Sequence, residues 1–242
     1  SSVLDPITVI VSDFSVDWVL EKHVSLSLAF LLSISISSFL GIFWYLLNPI
    51  LMLSVLYIIF SKNIGASIEN FAIYVLIGII QWNFLSSSTI DGMLSLEKYS
   101  ELIKKVNFPR ELLVIGSVLN LFLSHIIEWF LVIILIIFLV GISYNILLFP
   151  FILLTQLVLS LMISFFLSAF FSYYKDIQNV WKLFLFIAWF LTPIFYLSSM
   201  IPERFSFINS INPMTQIISF TRDVFLNNSF PELIPFIITL LI

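Results

Sequence analysis

Between Leu147 and Phe171 the chain carries no charged side chain. A helix rises ~1.5 Å per residue, so a run of this length reaches across the ~30 Å hydrocarbon core of a bilayer with every backbone N–H satisfied internally. Two more stretches have the same character: Phe39 to Phe60, where Asn48-Pro49 should loosen the helix at its middle, and Phe71 to Ile90, which ends in Ser86-Ser87-Ser88-Thr89. Leu112 to Val140 is long enough to cross with tilt, and His125 and Glu128 are its only ionisable groups. Leu183 to Met200 is a fifth run. A sixth, Leu233 to Ile242, reaches only about halfway, so the natural chain is expected to continue. The pattern predicts an all-α integral membrane protein with about six transmembrane helices over residues 39–242, preceded by a segment 1–38.

Composition agrees with the pattern. Of 242 residues, 61% are hydrophobic and 10% charged, too few polar groups to cover a water-soluble globule. The net charge of -4, with ten scattered basic residues, leaves no footprint for a nucleic-acid backbone. Cysteine is absent, which removes disulfides, thiolate nucleophiles and cysteine metal sites. His125-x-x-Glu128 is not the spacing of a zinc peptidase, and no metal site is expected. The six glycines, Gly41, Gly65, Gly78, Gly92, Gly116 and Gly141, stand too far apart for a P-loop or a dinucleotide loop. If ATP powers this protein, ATP and Mg are bound by another chain, and this one needs no cofactor of its own.

Lys and Arg accumulate on the cytoplasmic side of short loops. The loops after the second and fourth spans hold Lys98, Lys104, Lys105, Arg110, Lys175 and Lys182; the others hold Lys62, Arg204 and Arg222. Both termini are then expected in the cytoplasm. Val24 to Ser38 is apolar but serine-rich, and reads as a helix at the cytoplasmic interface, with a further crossing as the alternative.

Asp91 to Pro109 is amphipathic. Leu96, Tyr99, Ile103 and Val106 recur at helical spacing, while Glu97, Lys98, Glu101, Lys104 and Lys105 take other faces. Glu101 is placed to pair with Lys105 one turn on. Such a helix suits docking of a soluble partner, or is a solvated loop whose lysines obey the inside rule. His125 and Glu128 share one face near mid-membrane, where an ionisable residue is costly. They are either functional or engaged in a structural hydrogen bond to a neighbouring helix. Ile201 to Asn228 is punctuated by Pro202, Pro213, Arg204, Arg222 and Asp223. Ile217 to Phe225 is read as a short re-entrant helix of the outer leaflet, with Arg222 and Asp223 at the lipid–water boundary; a flat surface loop is the alternative.

Together these pieces resemble the permease subunits of type 2 ABC exporters of lipid-linked polysaccharide, the group that moves O-antigen, capsule or teichoic acid chains. The words that carry the resemblance are Ser-Phe-Leu-Gly-Ile-Phe-Trp-Tyr-Leu-Leu-Asn-Pro (38–49), Leu-Ile-Lys-Lys-Val-Asn-Phe-Pro-Arg-Glu (102–111) and Tyr-Lys-Asp-Ile-Gln (174–178). Leu-Thr-Pro-Ile-Phe-Tyr (191–196) and Ile-Asn-Pro-Met-Thr (211–215) complete the order. Where relatives usually carry Arg, Tyr and Lys before the first word, this chain has Ile34-Ser35-Ile36-Ser37. The resemblance implies a transport subunit and not an enzyme, in a bacterial or archaeal cytoplasmic membrane. It further implies a homodimer of permeases docked on two P-loop ATPase subunits, with first and fifth spans along the path of a lipid-linked glycan.

Under that reading Trp44, Tyr45, Asn48, Trp189, Pro193 and Tyr196 border the path, where aromatic faces stack on sugar rings without fixing one position. Lys104, Lys105 and Arg110 meet the lipid pyrophosphate. Leu96, Glu97, Lys98, Glu101 and Ile103 receive the push of the ATPase. The rivals are a drug or lipid exporter of the same architecture, and an intramembrane enzyme that uses His125 and Glu128 on a lipid-linked sugar.

Overall fold

The computed structural model describes residues 39–62, 65, 68, 70–105, 109–141, 144–202, 204 and 206–227. Of two compact units, residues 1–41 and 42–242, the second holds every side chain described. The segment 1–38 with its expected interfacial helix, and the expected sixth span Leu233 to Ile242, lie outside the described residues.

Every regular element among the described residues is helical. The long helices are α1 (Phe39–Phe60), α2 (Phe71–Lys98), α4 (Glu111–Leu139) and α5 (Phe149–Tyr173), with a short α3 (Ser100–Lys105) between α2 and α4. A 3₁₀ turn, Tyr144–Leu148, leads into α5, and α6 (Ile177–Leu191) follows. The chain then breaks into small pieces: α7 (Ser206–Ile211), α8 (Pro213–Arg222) and one π turn, Asp223–Asn227. Three of these helical stretches are long and apolar enough to cross a membrane: Phe71–Lys98, Glu111–Leu139 and Tyr144–Tyr173. Two more apolar stretches, Ile50–Phe60 and Ile177–Leu191, are shorter. Among the described residues, three helices are therefore long and apolar enough to be crossings, where six or so are expected from sequence.

α2 is the centre of the bundle and packs on α4, α5, α6 and α8. Its polar side chains explain why. Gln81, Ser88, Thr89 and Ser95 are buried on protein, not turned toward lipid, and Ser88, Thr89 and Ser95 return their hydroxyls to carbonyls of their own helix. Gly92 permits the closest approach: a Cβ there would lie 2.6 Å from both Cβ and Oγ of Ser164 on α5. Small residues of this kind let membrane helices meet backbone to backbone, where dispersion and not water exclusion drives association. Around this centre α4, α5 and α6 leave Phe130, Phe138, Phe166, Phe186 and Phe190 exposed. A continuous apolar perimeter of this size is stable only against hydrocarbon.

An aromatic knot joins three elements. Trp129 of α4 stacks on Phe225 of the π turn with centroids 5.6 Å apart, and lies 4.6 Å from Phe149 at the start of α5. Phe149 and Phe225 close the triangle edge-on at 5.0 Å. Ile217 and Ile218 of α8 are fully buried in the same core.

The structure corrects two expectations. Asp91 to Lys98 is not part of a separate loop helix, because α2 continues unbroken to Lys98 and Gly92, Met93 and Ser95 are buried. Only Ser100–Lys105 forms a separate turn, where Glu101 pairs with Lys104 at 2.9 Å; the expected pair with Lys105 rests on a side chain outside the described ones. The fifth span does not run as a helix to Met200. Pro193 has no N–H and its ring excludes the preceding turn, so α6 stops at Leu191 with Thr192 extended. Pro49, by contrast, does not end α1, which is helical through it.

Candidate functional site

The break after α6 leaves carbonyls without helical partners, and one side chain collects them. Arg222, the last residue of α8, donates from Nη1 to the Pro193 carbonyl at 2.7 Å and from Nη2 to the Ile194 carbonyl at 2.7 Å. Its Nε and Nη2 also reach the Tyr74 carbonyl on α2, at 3.2 and 3.0 Å, while the guanidinium lies 3.4 Å over the Tyr74 ring. Gly78, one turn along α2, makes room for it. A Cβ at Gly78 would come within 3.0 Å of Arg222 Nη2 and 3.2 Å of the Ile194 backbone.

Neighbouring bonds lock the same loop. Tyr74 Oη donates to the Tyr196 carbonyl at 3.0 Å, Asn212 Nδ2 to Thr192 Oγ1 at 2.9 Å, and Tyr196 Oη to the Phe190 carbonyl at 2.9 Å. Arg222 is thus enclosed by protein, at 4% exposed. A planar fork with five donors is the one side chain that can satisfy several backbone oxygens at once.

A second polar group lies mid-bundle. Trp129 Nε1 donates to His125 Nε2 at 3.0 Å, so that nitrogen is an acceptor. Nδ1 faces Glu128 Oε2 across 3.6 Å, too long for a hydrogen bond. Gln156 of α5 lies 3.3 Å from the imidazole and donates to the Gln81 carbonyl of α2 at 2.8 Å; Gln81 in turn donates to Thr221 of α8 at 3.0 Å. The chain of contacts crosses α4, α5, α2 and α8, all buried.

Between α1, α2 and α6 opens a cavity of about 490 Å³. Its walls are mainly apolar, with Trp82, Phe186, Trp189 and Phe190 beside Ile90 and Leu185, and Met52 of α1 contributes one side. Lys182, Asn83 and Ser86 are its polar members. Asn83 and Ser86 stand one turn apart on α2, and Lys182 lies near the start of α6, beside the Trp181 Nε1 to Thr89 Oγ1 bond of 3.0 Å that joins these helices. The volume is that of an ordinary small-molecule site.

A family model described as ABC-2 type transporter matches residues 24–226. The chain belongs to this family. It is similar to an O-antigen export system permease protein RfbA of Klebsiella pneumoniae, 29% identical over 196 residues, covering 80% of this chain and 75% of that protein. Another, from Myxococcus xanthus, is 27% identical over 206 residues, covering 82% and 77%. The chain is a multi-pass membrane subunit of an ABC-2 exporter.

In this ABC-2 subunit the expected residues fall into separate places. Trp189 is half-buried on the cavity wall. Pro193 is buried, and its carbonyl is held by Arg222. Tyr196 is half-buried and bonded at both ends. Trp44, Tyr45 and Asn48 are helical, and their side chains lie outside the described ones, as does that of Lys105. Glu97 is exposed and holds Lys175 at 2.8 Å, tying the end of α2 to the loop after α5; Lys98 stands 3.9 Å from Asp91. Leu96 and Ile103 are half-buried, Lys104 is paired with Glu101, and Arg110 is exposed.

Sequence reading missed the clamp and the cavity. The signal for the first was present: a Thr-Pro break inside an apolar run frees carbonyls, and an arginine in a nearby apolar run is the natural donor. Nothing in the periodicity singles out Lys182.

Proposed function

We propose that the chain is the membrane half of an ATP-driven exporter that moves a lipid-linked polysaccharide of O-antigen type from the cytoplasmic side outward. The observation that carries this reading is the likeness to O-antigen export permeases over four-fifths of the chain, 80% in the first relative. The glycine spacing supports a separate ATPase, since this sequence holds no P-loop. Two permeases would form the path, with two P-loop ATPase subunits beneath them binding ATP and Mg. The termini and the end bearing Lys98, Lys104 and Lys175 would face the cytoplasm, in a bacterial or archaeal cytoplasmic membrane.

In this reading Trp44, Tyr45, Asn48, Trp189 and Tyr196 border the glycan, and Lys104, Lys105 and Arg110 attract its lipid diphosphate at the inner surface. The ATPase presses on the end of α2 and on α3, through Leu96, Glu97, Lys98, Glu101 and Ile103. The test is co-purification with a P-loop ATPase whose hydrolysis rises when a lipid-linked oligosaccharide is added. The double variant Leu96→Asp, Ile103→Asp should abolish that stimulation while the chain still folds in detergent. Stimulation at the wild-type level in the variant would refute the docking surface, and turnover of the lipid-linked sugar without any ATPase would refute the exporter.

A further inference from the structure

Two neighbours of opposite kind meet one nitrogen of His125. Trp129 donates its indole N–H to Nε2 at 3.0 Å, while Gln156 Oε1, an acceptor, stands 3.3 Å from the same atom. Turning the Gln156 amide over does not remove the conflict. Its Nε2 donates to the Gln81 carbonyl at 2.8 Å, and a flip would set two oxygens against each other. A ring nitrogen either carries a proton or does not, so Nε2 serves one of these neighbours at a time. Across the ring, Nδ1 is buried with no hydrogen-bond partner among the described residues, 3.6 Å from Glu128 Oε2. Phe84 of α2 stacks on the face of the ring, with centroids 4.5 Å apart.

We infer that His125 is a two-position latch whose Nε2 either accepts from Trp129, within α4, or donates to Gln156, across to α5. Between the two positions one proton leaves Nδ1 and one arrives at Nε2, with no net change of charge. In the first, the bond is internal to α4, since His125 and Trp129 stand one turn apart on it. In the second, α4 joins the chain that runs from Gln156 to the Gln81 carbonyl of α2 and from Gln81 to Thr221 of α8. Trp129 then keeps its ring contacts with Phe149 and Phe225, while its N–H loses its acceptor.

Each position leaves one buried group unmatched: the Gln156 oxygen in the first, the Trp129 N–H in the second. The two costs are of one kind, so small displacements decide between them. Glu128 tilts the resting balance toward the first, because as a carboxylate it repels a bare Nδ1 and holds the proton there. A slide of α4 along α5 that shortens the Gln156 contact selects the second. The helix pair thereby moves between two bonded registers and not through a continuum. The inference concerns this chain alone and does not rest on the exporter reading.

Nitrogen-15 spectra tell a protonated ring nitrogen from a bare one. The sequence has two histidines, His23 and His125, so His23→Gln leaves a single ring to read in the full-length chain, labelled on histidine and held in phosphatidylcholine nanodiscs. In that background Nδ1–H should be the larger of two populations. Glu128→Gln, a neutral amide able to donate to Nδ1, should raise the ratio of Nε2–H to Nδ1–H by about fivefold or more. Trp129→Phe, which keeps a ring against Phe149 and Phe225, should shift it the same way. Adding Gln156→Leu to Glu128→Gln should cancel the shift, since the second position then has no acceptor. An unchanged ratio in Glu128→Gln would overturn the latch; that variant is nearly isosteric, so its result decides even where a larger replacement fails to fold. A ring protonated on both nitrogens would overturn it too, by marking a fixed ion pair with Glu128. So would a shift that survives the loss of Gln156, since the bond across the bundle would then have no part in it.

Discussion

Arg222 concentrates more of the fold into one side chain than any other residue described. Four donor contacts reach three backbone oxygens: those of Pro193 and Ile194, just past the end of α6, and that of Tyr74 within α2. Removing it strands those carbonyls in an apolar interior, at about 1–3 kcal/mol for each group left unsatisfied. Arg222→Ala is therefore expected to destabilise by about 3 kcal/mol or more, read as the midpoint of unfolding in detergent. Arg222→Lys should recover less than half of that, because an ammonium is a point and not a fork. Full recovery would mean that charge alone matters. The contacts go to the main chain, so Ile194 can change its side chain without loosening the clamp, whereas position 222 has no substitute.

At the level of elements, the helices follow the uncharged runs closely. Phe39–Phe60 is helical over the same residues, and α4 and α5 lie within two residues of the expected ends. Bilayer length is written in composition, which is why these were legible. Less legible was the far end of α2, where Asp91, Glu97 and Lys98 suggested a new helix. Charge ended the hydrocarbon run but not the backbone pattern, since nothing there breaks a helix. The end of α6 was misjudged for the converse reason: residues 192–200 are apolar, yet Pro193 stops the helix. The uses of Gly78 and Arg222 were not legible, because they depend on contacts between distant segments.

α2 and α5 meet through Gly92 and Ser164, so Gly92→Ala should push them apart and cost about 1–3 kcal/mol, the range for an overpacked contact. Gly116→Ala, with nothing within 4 Å of its new Cβ, should be neutral or stabilise by up to about 1 kcal/mol. Thermal unfolding of both in the same detergent gives the comparison; equal melting temperatures would contradict the close packing of α2 on α5.

For the molecule as a whole, the polar side chains of the bundle point inward to α2, and apolar rings such as Phe130, Phe138, Phe166, Phe186 and Phe190 point outward. This inversion of the soluble plan predicts that the purified chain stays monodisperse only with detergent or lipid, and precipitates when either is withdrawn. A sharp monomeric peak in plain buffer on size exclusion would contradict it. The unbroken run of α2 from Phe71 to Lys98 has a mechanical consequence. Without a joint between them, its two ends cannot move independently, and the tight contact at Gly92 is the natural fulcrum. By helical rise, the arm from Gly92 to Lys98 is ~9 Å and the arm to Tyr74 ~27 Å. A sideways nudge of ~1 Å at the charged tip would thus swing the arginine-bound end by ~3 Å the other way, as a short handle moves a long oar.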